Sequence, residues 1–317
     1  MPQAHRLQRL LVATDLSTHS DKAFNRAVML AREDNARLTV LHVIPDELNP
    51  ERTDTLKSQA QKSLEETVAQ AMALGELDAE IAVKGGLDQQ KILKQVAESA
   101  ARGDTSVEVR LEAGSVYDII NETAAETDAD LVVCGAHRKL MIGDEWRGST
   151  MERVLRFGGR PVLIVKSKPA APYQNIVVAV DFSAPAADAL EFAFTAFPGA
   201  RFTLVNAIEG SLPGILTGTQ GSLDALDRQR QELTGFVDAV LSRIGEAGET
   251  GPDIQLEVRQ GTPLNVLQQY VTEHATDLVV VGTHGRTGLR RAFLGSVAER
   301  LIAMLPTDIL AVRPQGA

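Results

Sequence analysis

Short, nearly continuous apolar runs alternate along this chain with longer stretches whose apolar residues recur every three or four positions. The C-terminal half shows the pattern most clearly. "NIVVAVD" from Asn175 and "TDLVVV" from Thr276 read as strands buried on both faces, as in a parallel sheet. "SAPAADALEFAFTAF" from Ser183 has helical spacing, with Ser183 as the candidate cap. "RFTLVNAI" predicts a strand, Leu223 to Ile244 a long helix and "DIQLEVRQG" another strand. "TPLNVLQQYVTEHA" predicts a helix capped by Thr262 with Pro263 in its first turn. "SVAERLIAML" and "DILAVR" supply the last helix and strand. Five strands alternating with four helices predict an α/β, Rossmann-like, doubly wound open parallel sheet.

The same pattern is written twice. "LQRLLVATDLS", "RLTVLHVI", "DADLVVCGAHR" and "RPVLIVK" in the first half match "YQNIVVAVDFS", "RFTLVNAI", "ATDLVVVGTHG" and "TDILAVR" in the second, in the same order. "SKPAAP", from Ser167, reads as the linker. The expected domains are 1–168 and 173–317, each with a five-stranded sheet. Matching residues lie 164 apart at Val43 and Ala207 but 147 apart at Gly114 and Gly261, so the first half carries 17 extra residues between. Helical spacing of Ile92, Leu93, Val96, Ala97 and Ala100 predicts an added helix within an insertion at about 77–104, preceded by a short strand at Ile81 to Val83.

Composition narrows the functional classes. A length of 317 residues suits two domains, and 44% hydrophobic with 23% charged residues is ordinary for a globular protein. A net charge of -10 argues against a nucleic-acid surface. No apolar run approaches the roughly 18 residues of a membrane span. The N-terminus enters a strand pattern without a signal-peptide layout, and the single cysteine, Cys134, forms no intrachain disulfide. The expected setting is cytoplasmic.

The candidate chemistry lies in "GTHGRTGLRRAFLGSVAERL", from Gly282. Gly282 closes a strand, Gly285 and Gly288 permit a tight turn, and Gly295-Ser296 opens a helix. Helix-start amides and the helix dipole favour an anion, and the Ser296 hydroxyl adds a donor. This predicts a phosphate cradle at the carboxyl ends of the strands; the alternative is a glycine-rich connection that only turns the chain.

The segment "DLVVVGTHGRTGLRRAFLGSVAERL" resembles the signature of the universal stress protein family, whose ATP-binding members carry G-x-x-G, nine residues, then G-S or G-T. Here these are Gly282, Gly285 and Gly295-Ser296. The resemblance covers both halves, as in tandem members, and implies an adenine nucleotide alpha hydrolase-like fold. It implies that ATP, alone or with Mg2+, binds the second half. Asp181 would lie near adenine and ribose at the strand end Ala179-Val180, and Ala207, where the family usually has valine, would line the base pocket. Thr283 and His284 after Val281-Gly282, together with Gly285 and Arg286, would follow the ribose and phosphates. Val297 would follow Ser296 at the helix start. Competing readings make Asp181 a helix cap, His284 a solvent-exposed loop residue, and Arg290 and Arg291 an ordinary basic surface.

The first half departs from the pattern. Gly135 and Gly148-Ser149 keep their places, but Arg138 stands where the second glycine belongs. Asp144 and Glu145 add negative charge to the span, against Arg138, Lys139 and Arg147, and Gly143 could turn a relocated loop. This half is expected not to bind ATP in the family manner, and to hold another ligand or serve as a scaffold. Cys134 reads as a small buried hydrophobe or a redox thiol. Trp146 covers an apolar patch or stacks on a ligand.

The resemblance also implies pairing of the final strands, Pro161 to Lys166 and Asp308 to Arg313, about a pseudo-twofold axis within the chain. A homodimer of the whole chain stays open. Three functions remain: a nucleotide-binding stress regulator or sensor, a slow ATPase, and a scaffold or chaperone-like protein binding through the first half. The glycine loop offers no carboxylate beside the phosphates, so hydrolysis is expected to be slow or absent. Gly285→Arg copies the first-half defect into the second and should cause a large loss of ATP affinity in calorimetry with little change in thermal stability.

Overall fold

The computed structural model describes residues 7–17, 20–45, 58–64, 66, 79–84, 105–136, 150–209, 220–245, 251–283 and 294–313. The chain divides into two compact units, Leu7–Pro172 and Tyr173–Ala317. The first contains β1 (Arg9–Thr14), α1 (Ser20–Asp34), β2 (Arg37–Pro45), β3 (Ala79–Lys84), β4 (Thr105–Gly114), α2 (Val116–Glu126), β5 (Leu131–Gly135), α3 (Thr150–Phe157) and β6 (Val162–Val165). Its strands are all parallel, in the order β3-β4-β2-β1-β5-β6. The second contains β7 (Asn175–Ala179), α4 (Ala184–Ala196), β8 (Arg201–Ile208), α5 (Gln220–Ile244), β9 (Asp253–Gln260), α6 (Pro263–Glu273), β10 (Leu278–Gly282), α7 (Ser296–Met304) and β11 (Asp308–Val312). Its parallel order is β11-β10-β7-β8-β9.

The fold is α/β and doubly wound. Among the described residues the second sheet has five strands and the first six, because the anticipated short strand in the insertion forms β3 and pairs with β4 along its whole length. The helix expected at Ile92 to Ala100 lies outside the described residues.

Side-chain alternation along β8 shows how both faces of the second sheet are covered. Phe202 faces α4 and meets the Phe194 ring edge-on at 4.7 Å. Thr203, on the opposite face, accepts a hydrogen bond from the Tyr270 hydroxyl of α6 at 3.2 Å. α4 also packs on β10 and α5, while α6 packs on α7. The central strands are buried on both sides: Ile176, Val178, Leu204, Val279, Val280, Ile309 and Leu310 are almost wholly inaccessible. That explains why these strands read as apolar runs and not as alternating ones.

The repeat extends to individual hydrogen bonds. In the first unit Asp130 Oδ2 accepts from the backbone N–H groups of Gln8 and Arg9, each at 2.8 Å. In the second, Asp277 Oδ2 accepts from those of Gln174 at 3.0 Å and Asn175 at 2.8 Å. Each aspartate precedes the fourth strand of the shared pattern and holds the entry of the first. The Gln8 and Gln174 carbonyls then accept from Arg37 and Arg201, both at 2.7 Å, setting the register of the second strand.

The backbone leading into two helices is also repeated, although Ser115 makes no side-chain cap hydrogen bond. Gly114 (φ 154°) closes β4 and Gly261 (φ 142°) follows β9, both in a conformation that side chains disfavour. The next residues, Ser115 and Thr262, are the N-caps of α2 and α6. Thr262 accepts from the Asn265 amide, with Pro263 in the first turn.

Asp277→Ala removes the acceptor for two strand-entry amides. Hydrogen exchange at Gln174 and Asn175 should accelerate at least about tenfold, the equivalent of losing one charge-assisted hydrogen bond. The Gln8 and Arg9 amides, held by Asp130, should keep their rates and serve as the internal control.

Candidate functional site

In the second unit, β7 ends in a turn built by Asp181, Phe182 and Ser183. The ladder runs one residue past the strand, where the Val180 amide donates to Val205 O at 3.0 Å. The Asn206 side chain donates to the Val180 carbonyl at 2.8 Å and fixes the strand end from the other side. Phe182 then adopts φ 63°, a left-handed conformation unusual for a bulky residue, and its ring meets Phe236 edge-on at 5.7 Å. This reversal brings the Ser183 amide back to Asp181 Oδ1 at 3.0 Å. The first unit repeats the device: Leu16 has φ 61°, the Ser17 amide donates to Asp15 Oδ1 at 3.0 Å, and His42 Nδ1 meets the Thr14 carbonyl at 2.8 Å.

The second wall forms where β10 ends. A Cβ on Gly282 would lie 2.8 Å from both the carbonyl carbon and oxygen of Pro185 and 3.1 Å from the Ala186 nitrogen. These are backbone atoms of the first turn of α4, which have no side-chain freedom with which to yield. Gly282 is therefore required by close strand–helix packing. Thr283 is fully buried; its amide donates to Val312 O at 2.9 Å and its carbonyl accepts from the Gly295 amide at 2.7 Å. Both ends of the glycine loop are tied to the sheet through this residue.

Between the walls lies a cleft of about 430 Å³ at the carboxyl ends of β7, β8 and β10. Of the residues expected at the site, Ala179, Val180, Asp181, Ala207, Val281, Gly282, Gly295, Ser296 and Val297 line it. Thr283 is the buried tie beneath the wall and does not line the cleft. His284, Gly285 and Arg286 lie outside the described residues. Sequence reasoning missed Ala186, Val205, Glu209, Pro263, Leu267, Ala298 and Leu301. Strand alternation from Ala207 carried the signal for Val205, and helical spacing from Val297 carried it for Leu301.

The lining is mixed in chemistry. Val180, Val205, Ala207, Pro263, Leu267 and Val281 make much of it apolar. The first turn of α7 also borders the cleft, through Gly295, Ser296, Val297 and Ala298. The Gly295 amide is taken by Thr283, so the helix-start donors begin at Ser296 and not, as the sequence suggested, at Gly295. The ionisable groups among the described lining residues are Asp181 and Glu209, both carboxylates. The amide dipoles at the start of α7 favour an anion, whereas the two carboxylates disfavour one close to them.

In the first unit Gly135 ends β5, and Arg138, Lys139, Gly143, Asp144, Glu145, Trp146, Arg147 and Gly148-Ser149 lie outside the described residues. Cys134 is buried, and burial pushes its thiol pKa up to about 12, which suppresses the reactive thiolate. No three His, Cys, Asp or Glu side chains among the described residues form a metal-binding group. No helix among them is long and apolar enough to cross a membrane.

The universal stress protein family model matches the chain twice, at residues 6–166 and 172–313. A putative universal stress protein of Staphylococcus haemolyticus is 30% identical over 163 residues, covering 51% of this chain and 86% of that protein. A universal stress protein of Methanocaldococcus jannaschii is 42% identical over 67 residues, covering 21% of this chain and 39% of its own length. Among solved structures, a universal stress protein from Archaeoglobus fulgidus aligns over 100% of both chains with a TM-score of 0.62 at 20% identity.

Gly282→Ala should cost about 1–3 kcal/mol by overpacking, because the added carbon meets backbone and not a movable side-chain tip. Chemical denaturation measures the loss.

Proposed function

The chain belongs to the universal stress protein family, and from that premise we propose that its second unit binds an adenine nucleotide and uses occupancy, not rapid turnover, as its output in a stress response. The observation that carries the reading is the mixed lining of the cleft: apolar residues of β8 and α6 share it with the first turn of α7 and the end of β7. A planar base is suited to Val205, Ala207, Pro263 and Leu267, where burial of ring surface supplies the affinity. The amides of Ser296, Val297 and Ala298 suit the phosphate end. Asp181 also lines the cleft and is an acceptor for a sugar hydroxyl.

ATP, alone or with Mg2+, is the ligand that the intact Gly282, Gly285 and Gly295-Ser296 spacing favours. Its phosphates would be held by neutral dipoles at the helix start, which bind charge without supplying a proton acceptor. Asp181 follows the end of β7 and Glu209 the end of β8, and neither belongs to the α7 helix start. The assigned role is accordingly a regulator or sensor.

The direct test is to denature purified chain, extract small molecules and count nucleotide per chain, then titrate emptied protein with ATP in a calorimeter. About one adenine nucleotide per chain is expected. Absence of both retained nucleotide and titratable binding overturns the reading. Ala207→Phe places a ring in the apolar lining and should lower affinity at least about tenfold, roughly 1.4 kcal/mol, while the parent thermal transition persists because Ala207 is only half-buried.

A further inference from the structure

We propose that Ser183 is a positioning residue for this site: its hydroxyl couples the start of α4 to the Asp181 carboxylate and holds that carboxylate oriented in the cleft. The inference rests on the nucleotide-binding reading above and deepens it. Asp181 and Ala186 line the cleft, whereas Ser183 does not and is 8% exposed. Any influence of Ser183 on a ligand must therefore pass through a neighbour.

Three hydrogen bonds join Ser183 to Asp181 and Ala186. Its Oγ donates to Asp181 Oδ1 at 2.5 Å and its amide donates to the same oxygen at 3.0 Å. The same Oγ accepts from the Ala186 amide at 3.3 Å. A donated amide polarises the hydroxyl and strengthens the bond it makes to the carboxylate. Both ends of the relay are anchored. Val180, immediately before Asp181, is held by Val205 and Asn206. Ala186 is held by the backbone contact between the first turn of α4 and Gly282.

The turn also carries conformational strain. Phe182 is placed at φ 63°, a conformation costly for an aromatic residue, and this is what aims the Ser183 donors back at Asp181. Leu16 repeats it at φ 61° in the first unit, where the Ser17 amide likewise donates to Asp15 Oδ1. Helix capping by itself explains the 3.3 Å bond from Ala186. It does not explain a second, shorter bond directed at a cleft-lining carboxylate. A carboxylate fixed before the ligand arrives loses less side-chain freedom on binding, and the benefit appears as affinity.

The test separates relay from cap by exploiting residue preference at N-caps. Glycine is tolerated there nearly as well as serine, whereas alanine is not, and threonine retains the hydroxyl. Affinity for ATP is measured by calorimetry on emptied protein for the parent, Ser183→Thr, Ser183→Gly and Ser183→Ala, with thermal unfolding recorded for each. The expected result is that Gly and Ala each weaken binding by about tenfold, although only Ala lowers the thermal midpoint appreciably, and that Thr stays close to the parent in both. If affinity instead follows the thermal midpoint, with Gly binding like the parent, Ser183 is only a cap and the proposal falls while the nucleotide-binding reading stands. If Gly and Ala both retain parental affinity, the proposal also falls. Failure of the parent itself to bind overturns the nucleotide-binding reading and the positioning role with it.

Discussion

The contact of Gly282 with the first turn of α4 is the constraint on which the second unit's cleft depends. The end of β10 comes so near the Pro185 carbonyl and Ala186 amide that a single methyl group has no room. That approach brings two chain ends together: the turn at Asp181 to Ser183, which leads into α4, and the buried Thr283, which ties Gly295 and the start of α7 to β11. A small cleft needs walls at fixed separation, and here the spacing is set by main-chain atoms. Packing of side chains could drift by rotamer changes; packing of backbone against backbone cannot.

The architecture was legible in the sequence because its physics is local and periodic. Runs such as "NIVVAVD" are apolar at every position, since both faces are covered, and Ser183 and Thr262 marked helix starts through chemistry that acts within three residues. The added strand β3 was legible from apolar residues between stretches of different character. The site was only partly legible. Residues at strand ends and in the glycine motif could be named, but the role of Gly282 could not, because its neighbour is Pro185, almost a hundred residues earlier in sequence. The motif suggested close approach of a ligand, and what the structure places there is another piece of the chain. Glu209 was overlooked because it lies beyond the strand pattern, and the loss of the Gly295 amide to Thr283 depends on a hydrogen bond that no spacing rule contains.

The two units also show which parts of a duplicated pattern are structural and which are not. The aspartate that holds the entry strand, the left-handed residue after the first strand and the glycine before the helix cap are present in both. The side chain that steadies the first strand's end changes from His42 to Asn206 while still meeting the corresponding carbonyl. Any ring or amide nitrogen placed there can do that. The glycine at Gly285, by contrast, is Arg138 in the first half.

The aspartates that hold the entry strands have a consequence for how the chain is made. Gln8 waits for Asp130, 122 residues later, and Gln174 for Asp277, 103 residues later. During synthesis the first strand of each unit emerges well before its fourth, so one of its two neighbours and its amide acceptor are both missing. A nascent half-sheet is therefore left with an open apolar edge, and closing such long loops is entropically slow. Each unit should complete its fold as one late cooperative event, timed by release of its fourth strand from the ribosome, and should depend on chaperone protection until then.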